Sequence, residues 1–340
     1  MSKRTVRWGV IGLGGIAHRV LKGFKATPPA STEVVAVGSR NAAKAREFAA
    51  SYGIPTACGS YEEVVADPSV DLVYIALPNH LHCPWTLKAI AAGKHVLCEK
   101  PFAMNAAEAK AMIAAAKRRG VFLMEAFMYR CHPQMETLRS LLKSRALGDI
   151  RLIRAGFAFG GINESNVRMR NPEGGGGLMD VGCYPVSFMR FVAGQEPVDV
   201  KATAVIGKKS RVDHWAAGVL KFPSGAIGYF DCGMMVNSDW SATVFGTKGR
   251  VRLNSPWIPE DGQAELEITM YDDWKTESKL VKGKHYFAHE AETVARCILA
   301  GKREAREMSW RDTLGNMQAL DGLRESMGLK WDLERRTRRK

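Results

Sequence analysis

The sequence predicts an α/β chain of two domains: a doubly wound parallel sheet, then an α+β domain with a large open, mostly antiparallel sheet. Three observations lead there. Up to about residue 128, short apolar runs alternate with helix-period segments, the pattern of a parallel sheet covered on both faces. Beyond Tyr129 the runs lengthen, alternate apolar with polar residues and are separated by turns such as Pro223-Ser224-Gly225. A glycine-rich turn follows the first apolar run directly. The 340 residues, 46% of them hydrophobic, suffice for two cores. The expected boundaries are 1–128, 129–330 and a basic tail, 331–340.

In order, Val6 to Ile11 reads as a strand, followed by the glycine turn and a helix to about Ala26. Glu33 to Gly38 is a second strand, and Asn41 caps a helix ending near Gly53. Ser60-Tyr61-Glu62-Glu63 is a capping box opening a short helix. Asp71 to Leu77 is a buried strand; a helix from about Cys83 to Ala92 stops at Gly93. His95 to Cys98 is another strand, Asn105 to Arg119 a helix closed by Gly120, and Val121 to Phe127 a strand. The second part opens with a helix over Pro133 to Arg145 and a strand over Ile150 to Phe159. A loop ending in Gly174-Gly175-Gly176-Gly177 leads into a helix to Ala193. Strands are expected at Val198–Ile206, Trp215–Phe222, Ala226–Cys232 and Trp240–Phe245, and helix from about His289 to Met327.

Composition removes several function classes. No stretch approaches 18 apolar residues, so no membrane span is expected, and the N-terminus has no apolar leader. A cytoplasmic location follows as the expectation. The seven cysteines are odd in number, form no Cys-x-x-Cys and lie mostly in apolar runs, which fits buried thiols in a reducing compartment. The net charge of +14 is concentrated at the ends, in Lys3, Arg4 and Arg7 and in Arg335 to Lys340. No basic stripe interleaved with aromatics lies between them, so a nucleic-acid partner is not expected.

The loop Gly12-Leu13-Gly14-Gly15-Ile16-Ala17 fits the dinucleotide fingerprint, because it follows a strand and opens a helix within a βαβ unit. Gly12 makes the turn, Gly14 lets the backbone approach a pyrophosphate, and Ala17 allows helix–strand packing. The helix N-terminus offers N–H donors to the anion. The first domain therefore reads as a Rossmann domain. Its second strand ends in Val37-Gly38-Ser39-Arg40, with no carboxylate for a ribose 2′-hydroxyl. A hydroxyl and a guanidinium suit a 2′-phosphate, which predicts NADP rather than NAD.

Lys100 ends an apolar strand and is followed by Pro101, which bars it from a helix. In open α/β sheets ligands bind at the carboxyl ends of strands, so Lys100 is expected to face the cofactor crevice. In the second domain, Asp180 and Tyr184 are four residues apart on one expected helix face. The preceding glycines permit close approach of another chain or a ligand. Oxidation of an alcohol needs a base for the hydroxyl proton. A tyrosine must be brought down from a pKa near 10 to serve, at a cost of about 4 kcal/mol. A nearby ammonium such as Lys100 favours the phenolate. Asp180 would orient the substrate or accept its proton. Such Asp–Tyr pairs also occur for purely structural reasons.

The set GLGGIA, CEKP and GGGLMDVGCY, in this order, resembles the glucose-fructose oxidoreductase/inositol dehydrogenase (Gfo/Idh/MocA) family. The stretches LMEAFMYRCHP and GTKGRVRL are similar to its NADP-dependent branch of dimeric dihydrodiol dehydrogenases, D-xylose 1-dehydrogenases and glucose-fructose oxidoreductase. The resemblance implies that Lys100 and Tyr184 handle the proton, with Asp180 beside them, while nicotinamide takes the hydride. It implies that Leu77, Pro78, Asn79, His82, Glu99 and Lys100 lie along the cofactor, and that Pro101 follows a cis bond. It also implies a homodimer or homotetramer built on the open face of the second sheet.

Arg168 lies in the loop before the glycines, where it reaches cofactor or substrate, or is merely solvated. His80, His82 and Cys83 lack further matching ligands, so no metal is expected. His132 is expected to cap its helix or touch substrate. Trp85, Phe102 and Tyr129 are candidates for a sugar site or for core. The expected function is an NADP(H)-dependent oxidoreductase acting on a sugar or cyclic diol, most simply aldose oxidation at C1 to the lactone or the related carbonyl reduction. The rivals are a glycoside hydrolase that retains its dinucleotide and a non-catalytic NADP-binding regulator.

Overall fold

The structure, a computed structural model, describes residues 4–259 and 262–332. The charged ends singled out above, Lys3 and Arg335 to Lys340, lie outside the described residues. The chain forms two compact units, Met1–Cys131 with Lys284–Leu314, and His132–Gly283 with Gly315–Lys340.

The first unit runs β1 (Val6–Ile11), α1 (Gly15–Ala26), β2 (Thr32–Gly38), α2 (Ala42–Tyr52), β3 (Thr56–Cys58), α3 (Tyr61–Ala66) and β4 (Leu72–Ile75). It continues with α4 (His82–Ala91), β5 (His95–Glu99), α5 (Ala106–Arg119), β6 (Leu123–Ala126) and the short α6 (Met128–Cys131). The strands pair in parallel in the order β3-β2-β1-β4-β5-β6. β4 and β6 are buried at every position, as a sheet covered on both faces requires. The expected helix punctuation is present. Asn41 and Asn105 accept the N–H groups of Lys44 and Glu108, and Gly53 and Gly120 close α2 and α5 in the left-handed region. In the capping box, Ser60 accepts the Glu63 N–H, while the Glu63 carboxylate reaches back to Gly59 N–H and the Ser60 hydroxyl.

The second unit runs α7 (Pro133–Lys143), β7 (Ile150–Ala158), α8 (Cys183–Ala193), β8 (Asp199–Ile206), β9 (Asp213–Lys221), β10 (Ile227–Gly233) and β11 (Ala242–Gly246). β12 (Gly249–Leu253), β13 (Gln263–Met270) and β14 (Thr276–Lys282) follow. The sheet order is β14-β13-β12-β11-β7-β10-β9-β8, antiparallel except for β10 beside β7. Sequence reading missed β12 to β14, although Gly249–Leu253 and Gln263–Met270 alternate charged with apolar residues, a strand signal. One face of this sheet packs on α8, which is buried through Tyr184 to Arg190, the Arg190 guanidinium pairing with Glu196. The other face carries Val205, Trp215, Val219, Ile227 and Tyr229, all exposed. Register places them together, with Val205 opposite Trp215 and Val219 opposite Tyr229.

The helix expected over 289–327 is two helices, α9 (Tyr286–Leu299) and α10 (Trp310–Ser326). Gly301, in the left-handed region, turns the chain between them. Arg303 C=O then accepts the Leu123 N–H on edge strand β6, and Trp310 Nε1–H donates to Leu123 C=O. Those bonds explain why residues 284–314 pack with the first unit, whereas the sequence boundaries put them with the second. Of the expected tail, Trp331 is buried under the Arg324 guanidinium and Asp332 N–H donates to Asn171. All seven cysteines are free, six of them buried. No described helix is long and apolar enough to cross a membrane.

Two loops at the carboxyl edge of the first sheet are tied by one buried side chain. The His82 ring lies 2.7 Å by Nε2 from Leu77 C=O, after β4, and 2.9 Å by Nδ1 from Pro101 C=O, after β5. Burial pushes its pKa down to about 4, against the pull of both carbonyls. A neutral ring has one N–H, so one of the two carbonyls receives a hydrogen bond. The neutral ring's stabilisation is complete above the unfolded value near 6.5 and is lost as pH falls toward 4. We expect the wild type to lose on the order of 3 kcal/mol across that window from this group. Thermal unfolding between pH 7 and 4 should therefore be flatter for His82→Gln; parallel curves would rule the linkage out.

Candidate active site

Gly12, Ser39, Arg40, Leu77, Pro78, Asn79, Glu99 and Lys100 lie at the carboxyl edge of the first unit's parallel sheet. β1 ends in Ile11 before Gly12, β2 in Gly38 before Ser39 and Arg40, β4 precedes Leu77-Pro78-Asn79, and β5 ends in Glu99 before Lys100. The order reverses between β1, which leads to β2 on one side, and β4 on the other, so a crevice opens there.

The phosphate loop fits a dinucleotide. Gly12 has φ +90°, and a Cβ there would lie 2.4 Å from Ala76 C=O, so no other residue suits the turn. A Cβ on Gly14 or Gly15 would meet nothing within 4 Å, which leaves the helix end open to an incoming group. Gly14 is the N-cap of α1, with no side-chain cap and no acid in the first turn. The 12-residue helix thus presents uncapped N–H groups and its positive end to an anion. At the end of β2, Ser39 Oγ accepts the Asn41 N–H at 3.2 Å. Arg40 is exposed and pairs with no carboxylate among the described residues.

Glu99 and His82 take internal partners rather than facing outward. Tyr74 Oη–H donates to Glu99 Oε1 at 2.5 Å, and the Lys100 N–H reaches Glu99 Oε2 at 3.3 Å. The Glu125 carboxylate accepts the Phe102 N–H at 3.0 Å. Two buried carboxyls therefore hold the backbone on either side of the cis Lys100–Pro101 bond and set where Lys100 begins. The one sequence sign of Glu125 is a charge inside the otherwise apolar β6. Trp85, Phe102 and Tyr129 are buried in this unit's core. Among the described residues no group of His, Cys, Asp and Glu could hold a metal ion.

In the second unit Leu178–Gly182 is a π-helical turn that runs straight into α8. Such turns widen the helix locally and recur at functional sites. Asp180 lies in the turn and Tyr184 in the first turn of α8. Arg168 Nε–H donates to Asp180 Oδ2 at 2.8 Å, a pairing within the second unit. The Tyr184 ring is buried and packed edge-on by Phe157 (centroids 5.2 Å) and Trp257 (5.9 Å). Phe157 also touches Trp240 and Trp257. This aromatic cluster, drawn from β7, α8 and two loops, was not visible in sequence because its members are far apart in the chain. His132 caps α7 through Gln134 N–H and meets Gly262 C=O with its other nitrogen.

The glycine run admits the chain itself, not a second chain. A Cβ on Gly175 would lie 2.1 Å from Arg168 C=O, and one on Gly176 2.1 Å from the Asp213 carboxylate.

Known proteins share this arrangement. Residues 6–127 match an oxidoreductase family with an NAD-binding Rossmann fold, and residues 135–252 match the GFO/IDH/MocA C-terminal domain. The trans-1,2-dihydrobenzene-1,2-diol dehydrogenase of Mus musculus is 35% identical, with 98% of this chain and 100% of that protein covered. A Tyr→Phe variant of KijD10, a 3-ketoreductase from Actinomadura kijaniata in complex with TDP-benzene and NADP, superposes with a TM-score of 0.87 at 29% identity. That match covers 95% of this chain and 98% of KijD10. The aldose-aldose oxidoreductase from Caulobacter crescentus, complexed with glycerol, gives 0.87 at 28% identity over 95% and 97%. With the fingerprint loop, the Glu-Lys-Pro turn and both domains matched, the chain belongs to the Gfo/Idh/MocA family of oxidoreductases.

Proposed function

We propose that this protein is a cytoplasmic NADP(H)-dependent oxidoreductase transferring a hydride between nicotinamide and a CH–OH group of a sugar or cyclic diol. The observation that carries the cofactor choice is the end of β2, where Ser39 and a carboxylate-free Arg40 stand in place of an acidic residue. The phosphate groups would rest on Gly12 to Ala17 and the N-terminus of α1, with Leu77, Pro78 and Asn79 along the same edge. The NADP-bound 3-ketoreductase supports that choice. The relatives' names span a cyclic diol, a ketone and an aldose, which supports the substrate class.

The catalytic residues proposed are Lys100, Asp180 and Tyr184. Bound nicotinamide supplies the acceptor for the hydride that leaves the carbinol carbon. Tyr184 takes the hydroxyl proton, and the Lys100 ammonium supplies the compensating charge. Asp180, held by Arg168, orients the substrate hydroxyls. Phe157 and Trp257 fix the Tyr184 ring, so its hydroxyl does not wander between rotamers.

The test is the absorbance of reduced nicotinamide with NADP⁺ or NAD⁺ against aldoses, inositols and cyclic diols. A rise with NADP⁺ and one member of the panel fixes reaction and substrate class. Nitrophenol release from a nitrophenyl glycoside, without net cofactor reduction, would replace the dehydrogenase reading with hydrolysis. Tyr184→Phe should lower kcat by about 10²-fold or more while leaving NADPH binding as in the wild type. Undiminished turnover would remove Tyr184 from proton transfer. Arg40→Ala should weaken NADP(H) by about 10- to 100-fold and NAD(H) by about twofold at most. Equal losses would mean that Arg40 does not read the 2′-phosphate.

The open face of the second sheet supports assembly with a second copy, because a contiguous apolar patch of this kind marks an interface. The proposed state is a homodimer or homotetramer through that face. Val219→Asp with Tyr229→Asp should reduce the mass in light scattering to that of one chain. An unchanged mass would place the interface elsewhere.

A further inference from the structure

The second unit holds an acid whose burial no sequence feature announced. Asp213 opens β9 and is fully buried. Its Oδ2 accepts the Leu178 N–H at 2.6 Å, at the first residue of the π-turn. Desolvation raises its pKa to about 7, while the N–H groups of Leu178, Asp213 itself and Gly177, and then the charge of Arg324, pull it down. Putting a carboxyl there is costly, so the position has something to gain from it. The glycines give the same indication from the other side. A Cβ on Gly176 would lie 2.1 Å from Asp213 Oδ1, and one on Gly177 3.3 Å from Oδ2. Gly176 also has φ +118°, a conformation for which other side chains are strained. Two glycines are thus spent on letting one carboxylate reach a helix end.

That helix end carries the chemistry. Counting from Leu178, Asp180 follows two residues later and Tyr184 six residues later, on one continuous helical stretch. Asp180 N–H is bonded to Gly176 C=O at 2.9 Å, so a shift of the glycine segment moves Asp180 directly. From the other side α8 is tied down by Asn316 Nδ2–H, which donates to Cys183 C=O. A Cβ on Gly182 would meet Cys232 Sγ at 2.7 Å, so the turn rests closely on β10 as well.

We propose that Asp213 is a positioning residue, whose carboxylate anchors the start of the π-turn and thereby sets the direction of Asp180 and Tyr184. It is fully buried, so it acts through those two residues rather than on a ligand, and the proposal rests on the reading of them as catalytic. The hydrogen bond from Leu178 N–H fixes where the helix begins. The π-turn then adds the extra width that separates Asp180 from the regular helix following it. Without the anchor, the first turn is free to relax to ordinary α-helical winding, which would rotate Asp180 relative to Tyr184.

The experiment is amide hydrogen exchange together with steady-state kinetics on the full chain, for the wild type, Asp213→Ala and Asp213→Asn. Both variants are expected to raise exchange in a segment confined to residues 176–184. Both should lower kcat by about tenfold or more with nucleotide affinity unchanged, since the phosphate loop belongs to the other unit. Asp213→Asn keeps the shape and one acceptor oxygen, so it should retain more activity than Asp213→Ala. It also decides the question if the alanine variant fails to fold. Wild-type exchange in 176–184 together with wild-type kcat in a folded variant overturns the proposal. So does an equal loss of kcat and nucleotide affinity, which marks a general structural defect. If the wild type oxidises nothing in the panel, the functional reading fails, while the exchange pattern still decides whether Asp213 anchors the turn.

Discussion

The reversal of strand order between β1 and β4 is the constraint on which the first unit depends. On one side of it the crossovers lead to β2 and β3, on the other to β5 and β6. Helices cover both faces of such a sheet, so its carboxyl edge at the reversal is where backbone stays open to a ligand. Gly12, Ser39 and Lys100 come to that edge because each directly follows the last residue of its strand, and Asn79 arrives four residues after Ile75. None of them needs a long loop to arrive there, and short loops after buried strands have little freedom to misplace them.

Buried polar groups then fix what the topology has only assembled. Glu99 with Tyr74, Glu125 with Phe102 N–H, and His82 between Leu77 and Pro101 all hold backbone at the same edge. Each such group would cost about 1–3 kcal/mol if left unsatisfied, so its partner cannot drift without penalty. In the second unit the same logic recurs with different parts. Arg168 meets Asp180, Asp213 meets the start of the π-turn, and aromatic rings pack edge-on against Tyr184. Glu99 and His82 illustrate a general point about motif residues. Both belong to stretches that resemble the family's cofactor edge, and both turn inward to hold that edge in place.

Much was legible because local physics wrote it into adjacent residues. Asn41, Ser60 and Asn105 cap helices through bonds three residues away, and Gly53 and Gly120 end helices by their own backbone conformation. The phosphate loop depends on a strand, a turn and a helix that are contiguous. The edges of the second sheet were less legible. β12 to β14 pair with one another, β13 between β12 and β14, through cross-strand partners that sequence does not name. The break between α9 and α10 sits at Gly301, a stop visible in sequence, while the pairing of Arg303 with Leu123 that follows it is tertiary.

The sequence by itself determined the order of elements, the dinucleotide loop, the absence of an acid after β2 and the positions of Lys100, Asp180 and Tyr184. These are properties of neighbouring residues, carried by period, capping and steric exclusion. Tertiary structure alone decided that residues 284–314 pack with the first unit, that Arg168 serves Asp180, and that the glycine run faces Asp213. Those are pairings between residues 12 or more positions apart, and their energy comes from burying and satisfying polar groups that meet only when the chain has folded.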